Sequence, residues 1–193
     1  TQIELHASKL NAFTLVDPDN ARQKALQSEG RWKSGKPMGL LDGVPTTIKD
    51  LIITEGWPTL RGSRTVDPQQ KWDEDAPCVE RLKENGAVLI GKTTTPELGH
   101  KGVTDSLLQG VTRNPWNLKH TPGGSSSGSA AAVAAMMCPT AFGTQTRGSV
   151  LRPASYNGIV GLKPTFGRVS RFGIVPLSWS FDHVGWMARS VED

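Results

Sequence analysis

The sequence predicts an α/β layered fold, and three stretches carry that expectation. Residues 75 to 90 read as a short helix followed by a buried strand. Ala130 to Met137 is an uninterrupted helix-forming run with a candidate strand, Ala141-Phe142-Gly143, just beyond it. Thr46 to Ile53 is rich in β-branched residues. Strands that alternate with helices in this way belong to layered α/β architectures.

In chain order, residues 1 to 20 are weakly patterned. Asp19 or Asn20 caps a helix running through Ala21, Ala25 and Leu26 and ending near Gly30. A loop rich in Gly, Pro and Lys (33 to 39) leads to the β-rich segment Thr46 to Ile53, a strand interrupted by Lys49 and Asp50. Residues 54 to 73 are loop-like. Asp75 then suits an N-cap, Pro77 fits the first helical turn, and Ala76, Val79 and Leu82 share one face. Gly86 closes this helix before the buried-type strand Ala87 to Ile90. Residues 93 to 117 are mostly irregular. The alanine-rich helix stops at Pro139, and from Tyr156 to Val184 short apolar pieces alternate with Gly and Pro.

Composition narrows the function. The formal net charge is +4, and the Lys and Arg residues are scattered, with no basic run of the kind that binds nucleic acid or anionic lipid. Cys78 and Cys138 have neither metal-ligand spacing nor the density of a secreted disulfide scaffold, so they are expected reduced and buried. The longest apolar run, Ala130 to Cys138, is about half of a membrane span. No signal segment is evident after Thr1, although the start there leaves the true N-terminus open. A soluble, cytoplasmic protein is the expectation. Ser190-Val191-Glu192-Asp193 has the form of a capping box, which introduces a helix, so the chain is expected to be part of a longer one.

The chemistry concentrates in two glycine-framed serine loops. Gly123-Gly124-Ser125-Ser126-Ser127-Gly128-Ser129 runs into the alanine-rich helix, and Arg147-Gly148-Ser149 follows shortly after it. A hydroxyl-rich loop at a helix N-terminus places unpaired backbone N–H groups beside nucleophile candidates. The Gly-Lys-Ser/Thr ending of a phosphate-binding loop is missing, and so is the G-x-S-x-G elbow around Ser149. The four histidines, His6, His100, His120 and His183, sit in no serine-hydrolase motif and read as surface or packing residues. Local pattern alone reaches a serine-rich site of unassigned class.

GGSSSGSAAAV, followed by GTQTRGSVLRPASYNGIVGLKPTFGRVS, resembles the signature of the amidase signature family of serine hydrolases. GVPTTIKD upstream resembles the segment that carries the family's catalytic lysine. The likeness runs from about Ala12 to Asp193, with the motifs in the family's order. It implies a mixed central β-sheet with helices on both faces. Residues 1–193 would then be the truncated, N-terminal part of a single amidase domain. Ser149 is implied as nucleophile, Ser125 as the bridging serine, preceded by a cis peptide bond, and Lys49 as proton acceptor. The backbone N–H groups of Thr146, Arg147, Gly148 and Ser149 are implied as the oxyanion hole, with Ser126, Gln145, Arg152 and Asp182 as supporting residues. No metal or organic cofactor is implied. The expected partner is a small-molecule amide, with no direct nucleic-acid or membrane contact, and a homo-oligomer stays open.

This lysine must lose its proton to act as a base. A solvated lysine, with a pKa of about 10.4, is charged at neutral pH, whereas burial disfavours the charged form. The setting of Lys49, between Ile48 and Leu51-Ile52-Ile53, is compatible with burial, and along a strand Asp50 points to the opposite face. Arg147 departs from the family pattern, which commonly has a small residue there. In a backbone of positive φ it would cost about 1–2 kcal/mol, and as a cation near Lys49 it would lower the lysine's pKa further. Trp186 stands where a proline is common. The implied activity is hydrolysis of a carboxylic amide through an acyl-enzyme. Two alternatives stand beside it: the glutaminase component of a tRNA-dependent amidotransferase, and a non-catalytic truncated fragment.

Overall fold

A computed structural model describes residues 1–193. Eight strands and five α-helices follow one another as α1 (Gln2–Leu10), β1 (Phe13–Val16), α2 (Pro18–Lys33), β2 (Pro45–Lys49), α3 (Pro77–Glu84), β3 (Val88–Thr93), β4 (Asp105–Ser106), β5 (Gly110–Val111), α4 (Ser127–Ala134), β6 (Thr140–Gln145), α5 (Leu151–Asn157), β7 (Val160–Leu162) and β8 (His183–Ala188). Six strands form one sheet in the order β1-β3-β2-β6-β8-β7. The central trio β3, β2 and β6 is parallel, and β1, β8 and β7 join antiparallel, so the sheet is mixed.

Helices cover both faces of this sheet. On one side, Val79 and Leu82 of α3 pack against Ile48, Leu89 and Val184. On the other, Ala131, Ala132 and Val133 of α4 meet Ala141, and Ala130 meets Met187. The period-2 alternation of each strand does this sorting: neighbours Ala141 and Phe142 belong to opposite cores.

Helix α4 is buried along its whole length from Ser127 to Val133, which explains its composition. Only small side chains let a helix lie this close to a sheet. A Cβ built on Gly128 collides with the Ala12 carbonyl and lies 2.5 Å from the backbone nitrogen of Thr94. Gly128→Ala is therefore expected to lower stability by about 1–3 kcal/mol, the usual cost of overpacking. The measurement is the urea midpoint, and an unchanged midpoint would mean that α4 can slide outward freely.

Several boundaries differ from the sequence expectation. The N-terminal stretch holds α1 and β1; α1 is closed by a capping box from Thr1 to Glu4 and by Asn11 in a left-handed conformation. Helix α2 is capped by Asp17, whose side chain accepts from the Asn20 N–H at 3.2 Å, and it runs through Gly30 to Lys33. The β-rich segment ends as a strand at Lys49, where the Leu51 and Ile52 N–H groups both turn back to the Lys49 carbonyl (2.8 and 3.1 Å). Asp75 does not cap α3; the N-cap is Ala76, and the Asp75 carboxylate accepts instead from the Glu55 N–H and pairs with Lys83. Helix α4 starts three residues before Ala130 and ends before Pro139, with Met136 at φ 56°. Ser190 and Asp193 make the reciprocal hydrogen bonds of a capping box, at 3.2 and 3.3 Å. Both cysteines are free and buried, and burial pushes each thiol up to about 12.

Candidate active site

Three loops meet at the C-terminal ends of the parallel strands β2 and β6. Lys49, the last residue of β2, points to the α4 side of the sheet and is completely buried. Its Nζ donates to Ser125 Oγ at 2.7 Å and to Thr144 Oγ1 of β6 at 2.9 Å. Both acceptors are hydroxyls, and no carboxylate lies within ion-pair distance. Burial alone holds the Lys49 amine well below the usual lysine range, because nothing nearby compensates the desolvated charge.

Ser125 is also buried, and the Gly124–Ser125 peptide bond is cis, as the resemblance implies. The next residue ties the serine loops together. The Ser126 N–H donates to the Ser149 carbonyl (3.2 Å), and Ser126 Oγ donates to the Thr144 carbonyl (3.2 Å). Ser149 sits in the turn between β6 and α5 and shares a narrow pocket with Ser125 and Thr144. The Lys49–Ser125 link of the expected relay is formed. The two serines share the pocket wall without a hydrogen bond between them.

The turn that carries Ser149 is held from both sides. Gln145 Oε1 accepts from the N–H groups of Val150 (3.0 Å) and Leu151 (2.9 Å), so its amide covers the start of α5. Thr146 Oγ1 donates to Asp182 Oδ1 at 2.5 Å, and Asp182 Oδ2 accepts from the Leu177 and Ser178 N–H groups, each at 2.8 Å. Between these anchors, the backbone N–H groups of Thr146, Arg147, Gly148 and Ser149 donate to no protein acceptor. These four successive backbone donors without a protein acceptor lie in the same turn as the Ser149 hydroxyl. Gly148, at φ 129°, supplies the one left-handed step in this turn.

One expectation needs correction, and another takes a narrower form. Arg147 is exposed and its φ is not positive, so it carries no backbone penalty, and the lowering of the Lys49 pKa has burial rather than this cation as its cause. Arg152 fixes the loop through its backbone only: its N–H donates to the Gly148 carbonyl at 2.7 Å, while its guanidinium packs against Gly102 and its Nε finds no partner. Trp186 packs its ring against Phe142, 6.2 Å between centroids, on the far side of the sheet from Lys49.

Sequence reasoning missed three contributors. Thr144 is the second acceptor for Lys49. His183, at the start of β8, lines the serine pocket, with its Nδ1 2.6 Å from the Phe181 carbonyl. Lys92 is fully buried on β3, 3.4 Å from Asp50. Only Lys92 left a signal, as a charged residue extending an apolar strand.

Comparison with known proteins identifies the family. The family model described as Amidase matches residues 1–193. The chain is 46% identical over 192 residues to a glutamyl-tRNA(Gln) amidotransferase subunit of Desulforapulum autotrophicum, covering 100% of this chain and 39% of that protein. It is 48% identical over 185 residues to the corresponding protein of Symbiobacterium thermophilum, covering 95% of this chain and 38% of that one. Among solved structures, the native peptide amidase of Stenotrophomonas maltophilia superimposes with a TM-score of 0.92 at 42% identity, over 100% of this chain and 40% of that one. The 6-aminohexanoate cyclic dimer hydrolase gives 0.88 at 37%, over 98% and 39%. The chain thus spans about two-fifths of the length of the relatives it matches. The fold is that of the amidase signature enzymes. The chain belongs to the amidase family. No helix is long and apolar enough to cross a membrane.

Proposed function

We propose that the protein hydrolyses a carboxylic amide through a Ser149–Ser125–Lys49 relay and a covalent acyl-enzyme. One observation carries this reading: a fully buried lysine without a counter-ion bonds to Ser125 Oγ at 2.7 Å, at the wall of the pocket that also holds Ser149. An amide carbonyl is a poor electrophile, so the attacking alcohol must lose its proton as the bond forms. The proton of Ser149 passes to Ser125 Oγ as the proton of Ser125 passes to Lys49 Nζ. Ser149 Oγ bonds to the carbonyl carbon, and the oxyanion accepts from the free N–H groups of residues 146–149. Collapse breaks the C–N bond, and the amine or ammonia leaves with the proton returned from Lys49 through Ser125. Water, deprotonated by the same relay, then cleaves the Ser149 ester and frees the acid.

A second reading has its own support. The relatives named as glutamyl-tRNA(Gln) amidotransferase subunits are 43 to 48% identical to this chain. In this reading the amide is that of glutamine, and the ammonia passes to partner proteins. Purification separates the two: a free amidase is active alone, and a component of an amidotransferase needs its partners.

The test of the shared chemistry is a fluorophosphonate probe applied to the full-length protein, with the adduct located by peptide mass spectrometry. The expected adduct is on Ser149 and is lost in Lys49→Met, which cannot activate the hydroxyl. An active protein labelled on another residue would remove the nucleophile assignment. Labelling of the full-length protein but not of residues 1–193 alone would identify the isolated chain as a non-catalytic fragment.

A further inference from the structure

A second buried lysine lies directly behind the first. The parallel register of β2 and β3 pairs Ile48 with Lys92 and Lys49 with Thr93. Alternation therefore sends Lys49 to the α4 side and Lys92 to the α3 side. Both side chains are wholly buried, yet their surroundings are opposites. Lys49 meets only hydroxyls. Lys92 Nζ donates to the Ile52 carbonyl (3.0 Å) and to Thr59 Oγ1, and lies 3.4 Å from Asp50 Oδ1. Asp50 Oδ2 accepts from Gln109 Nε2 at 3.2 Å, and the Asp50 N–H continues the strand ladder to the Thr93 carbonyl at 3.0 Å. The residue next to the candidate base is thus a buried carboxylate whose cation is Lys92.

Building on the hydrolase reading above, we propose that the Asp50–Lys92 pair is a positioning device for Lys49: Lys92 takes up the charge of Asp50 and pins the turn after β2, so the amine at 49 is held against Ser125 with no counter-ion of its own. The argument is electrostatic first. A carboxylate left unpaired next to a base favours the protonated lysine, which is the form that cannot accept a proton. It is also mechanical. The bond from Lys92 to the Ile52 carbonyl fixes the Asp50–Ile52 turn, and Leu51 of that turn lines the serine pocket. Core stability alone does not explain the pair, since apolar residues of similar volume usually serve a core as well as a buried ion pair does.

The surrounding charges agree. On the Lys49 side, the residues offered by β3, β6, α4 and the serine loop are Thr93, Thr144, Ser129 and Ser125, none of them charged. Arg171, Asp182 and His183 line the pocket that Ser125 and Ser149 share. On the Asp50 side the further charge is Arg61, which disfavours the Lys92 ammonium, and Asp50 opposes it. Burial draws Lys92 down to about 8 and pushes the Asp50 carboxyl up, and each is restrained by the other.

The test is the pH dependence of kcat/KM for a simple aryl amide in the full-length protein. Lys92→Met is expected to move the acid limb to higher pH by about one unit, because the unshared Asp50 charge now stabilises the Lys49 ammonium. Asp50→Asn/Lys92→Met, which removes both charges, is expected to return the limb to its original place. A lower rate or melting temperature with the limb unmoved in Lys92→Met would make the pair merely structural and overturn the proposal. If Lys92→Met does not fold, Asp50→Asn decides. It leaves a lone cation behind Lys49, so the limb is expected at lower pH, and an unmoved limb overturns the proposal. The unmodified enzyme and Ser149→Ala are run alongside. An unmodified enzyme without an acid limb, or turnover retained in Ser149→Ala, would remove the hydrolase reading itself and this role with it.

Discussion

Ser149→Ala is expected to lower kcat/KM for an aryl amide by about 10⁴-fold or more, the scale on which serine hydrolases lose rate without their nucleophile. The fold is expected to stay intact, because Ser149 Oγ faces the pocket and its loop is held by other atoms: Gln145 Oε1, Asp182 and the Ser149 carbonyl. The thermal midpoint is therefore expected to stay within about 2 °C. Ser149 is buried, but its Oγ bonds no protein group, so its loss leaves no partner unsatisfied, and a change of about 0.5 kcal/mol moves the midpoint of a domain this size by about 1–2 °C. Adding Lys49→Met to Ser149→Ala is expected to cost nothing further, because the base has no role once the hydroxyl it activates is gone. Groups that act as one unit show this non-additivity. Full activity in Ser149→Ala would end the assignment. A double variant that is another hundredfold slower would mean that Lys49 acts on something other than Ser149.

The sequence reveals such a site unevenly, and the reasons are physical. The helix and strand expected between residues 75 and 90 were legible because an amphipathic helix and an apolar strand each bury a face that local periodicity records, although the strand runs on to Thr93, through Gly91 and Lys92 that broke the apolar run. Helix α5 was not, since Pro153 and a polar face obscure a two-turn element held mainly by packing on α4 and β7. The start of α4 was misplaced because Ser and Gly are turn formers when exposed, whereas here they are the small residues that a buried helix needs. The serine loops could be seen, but their class could not. Lys49 reaches Thr144 across 95 residues of chain and Ser125 across 76, and no local pattern encodes such pairings. The roles of Lys49, Ser125 and Ser149 came from resemblance to a family, and the proximity of the three emerged only with the fold. Asp50 is the instructive case. Strand alternation placed it on the face opposite Lys49, and the cation that meets it there lies on a different strand.

Lys49→Met is expected to lower kcat/KM by about 10²–10⁴-fold, the usual contribution of a general base, and to abolish the acid limb of the pH–rate profile. In the unmodified enzyme that limb falls about tenfold per pH unit below the folded pKa of Lys49, because the protonated amine cannot accept the Ser125 proton. Stability carries the same signature with a definite sign. Burial lowers the folded pKa of Lys49 from its ordinary value of 10.5. Above that ordinary value the lysine is neutral in both states and burial of its charge costs nothing. As the pH falls below it, the unfolded chain binds a proton that the folded chain refuses, so stability declines down to the folded pKa and is level beneath it. A methionine at 49 does not titrate. The stability of Lys49→Met relative to the unmodified protein is therefore expected to be lowest near pH 10.5 and to rise as the pH is lowered toward 7. Loss of the bonds to Ser125 and Thr144 offsets the whole curve by about 1–3 kcal/mol for each hydroxyl left unsatisfied, but it does not tilt it. Urea unfolding at a series of pH values separates the offset from the slope. A flat difference between the two proteins would mean that Lys49 is charged when folded, and a charged amine at that position cannot take the proton from Ser125.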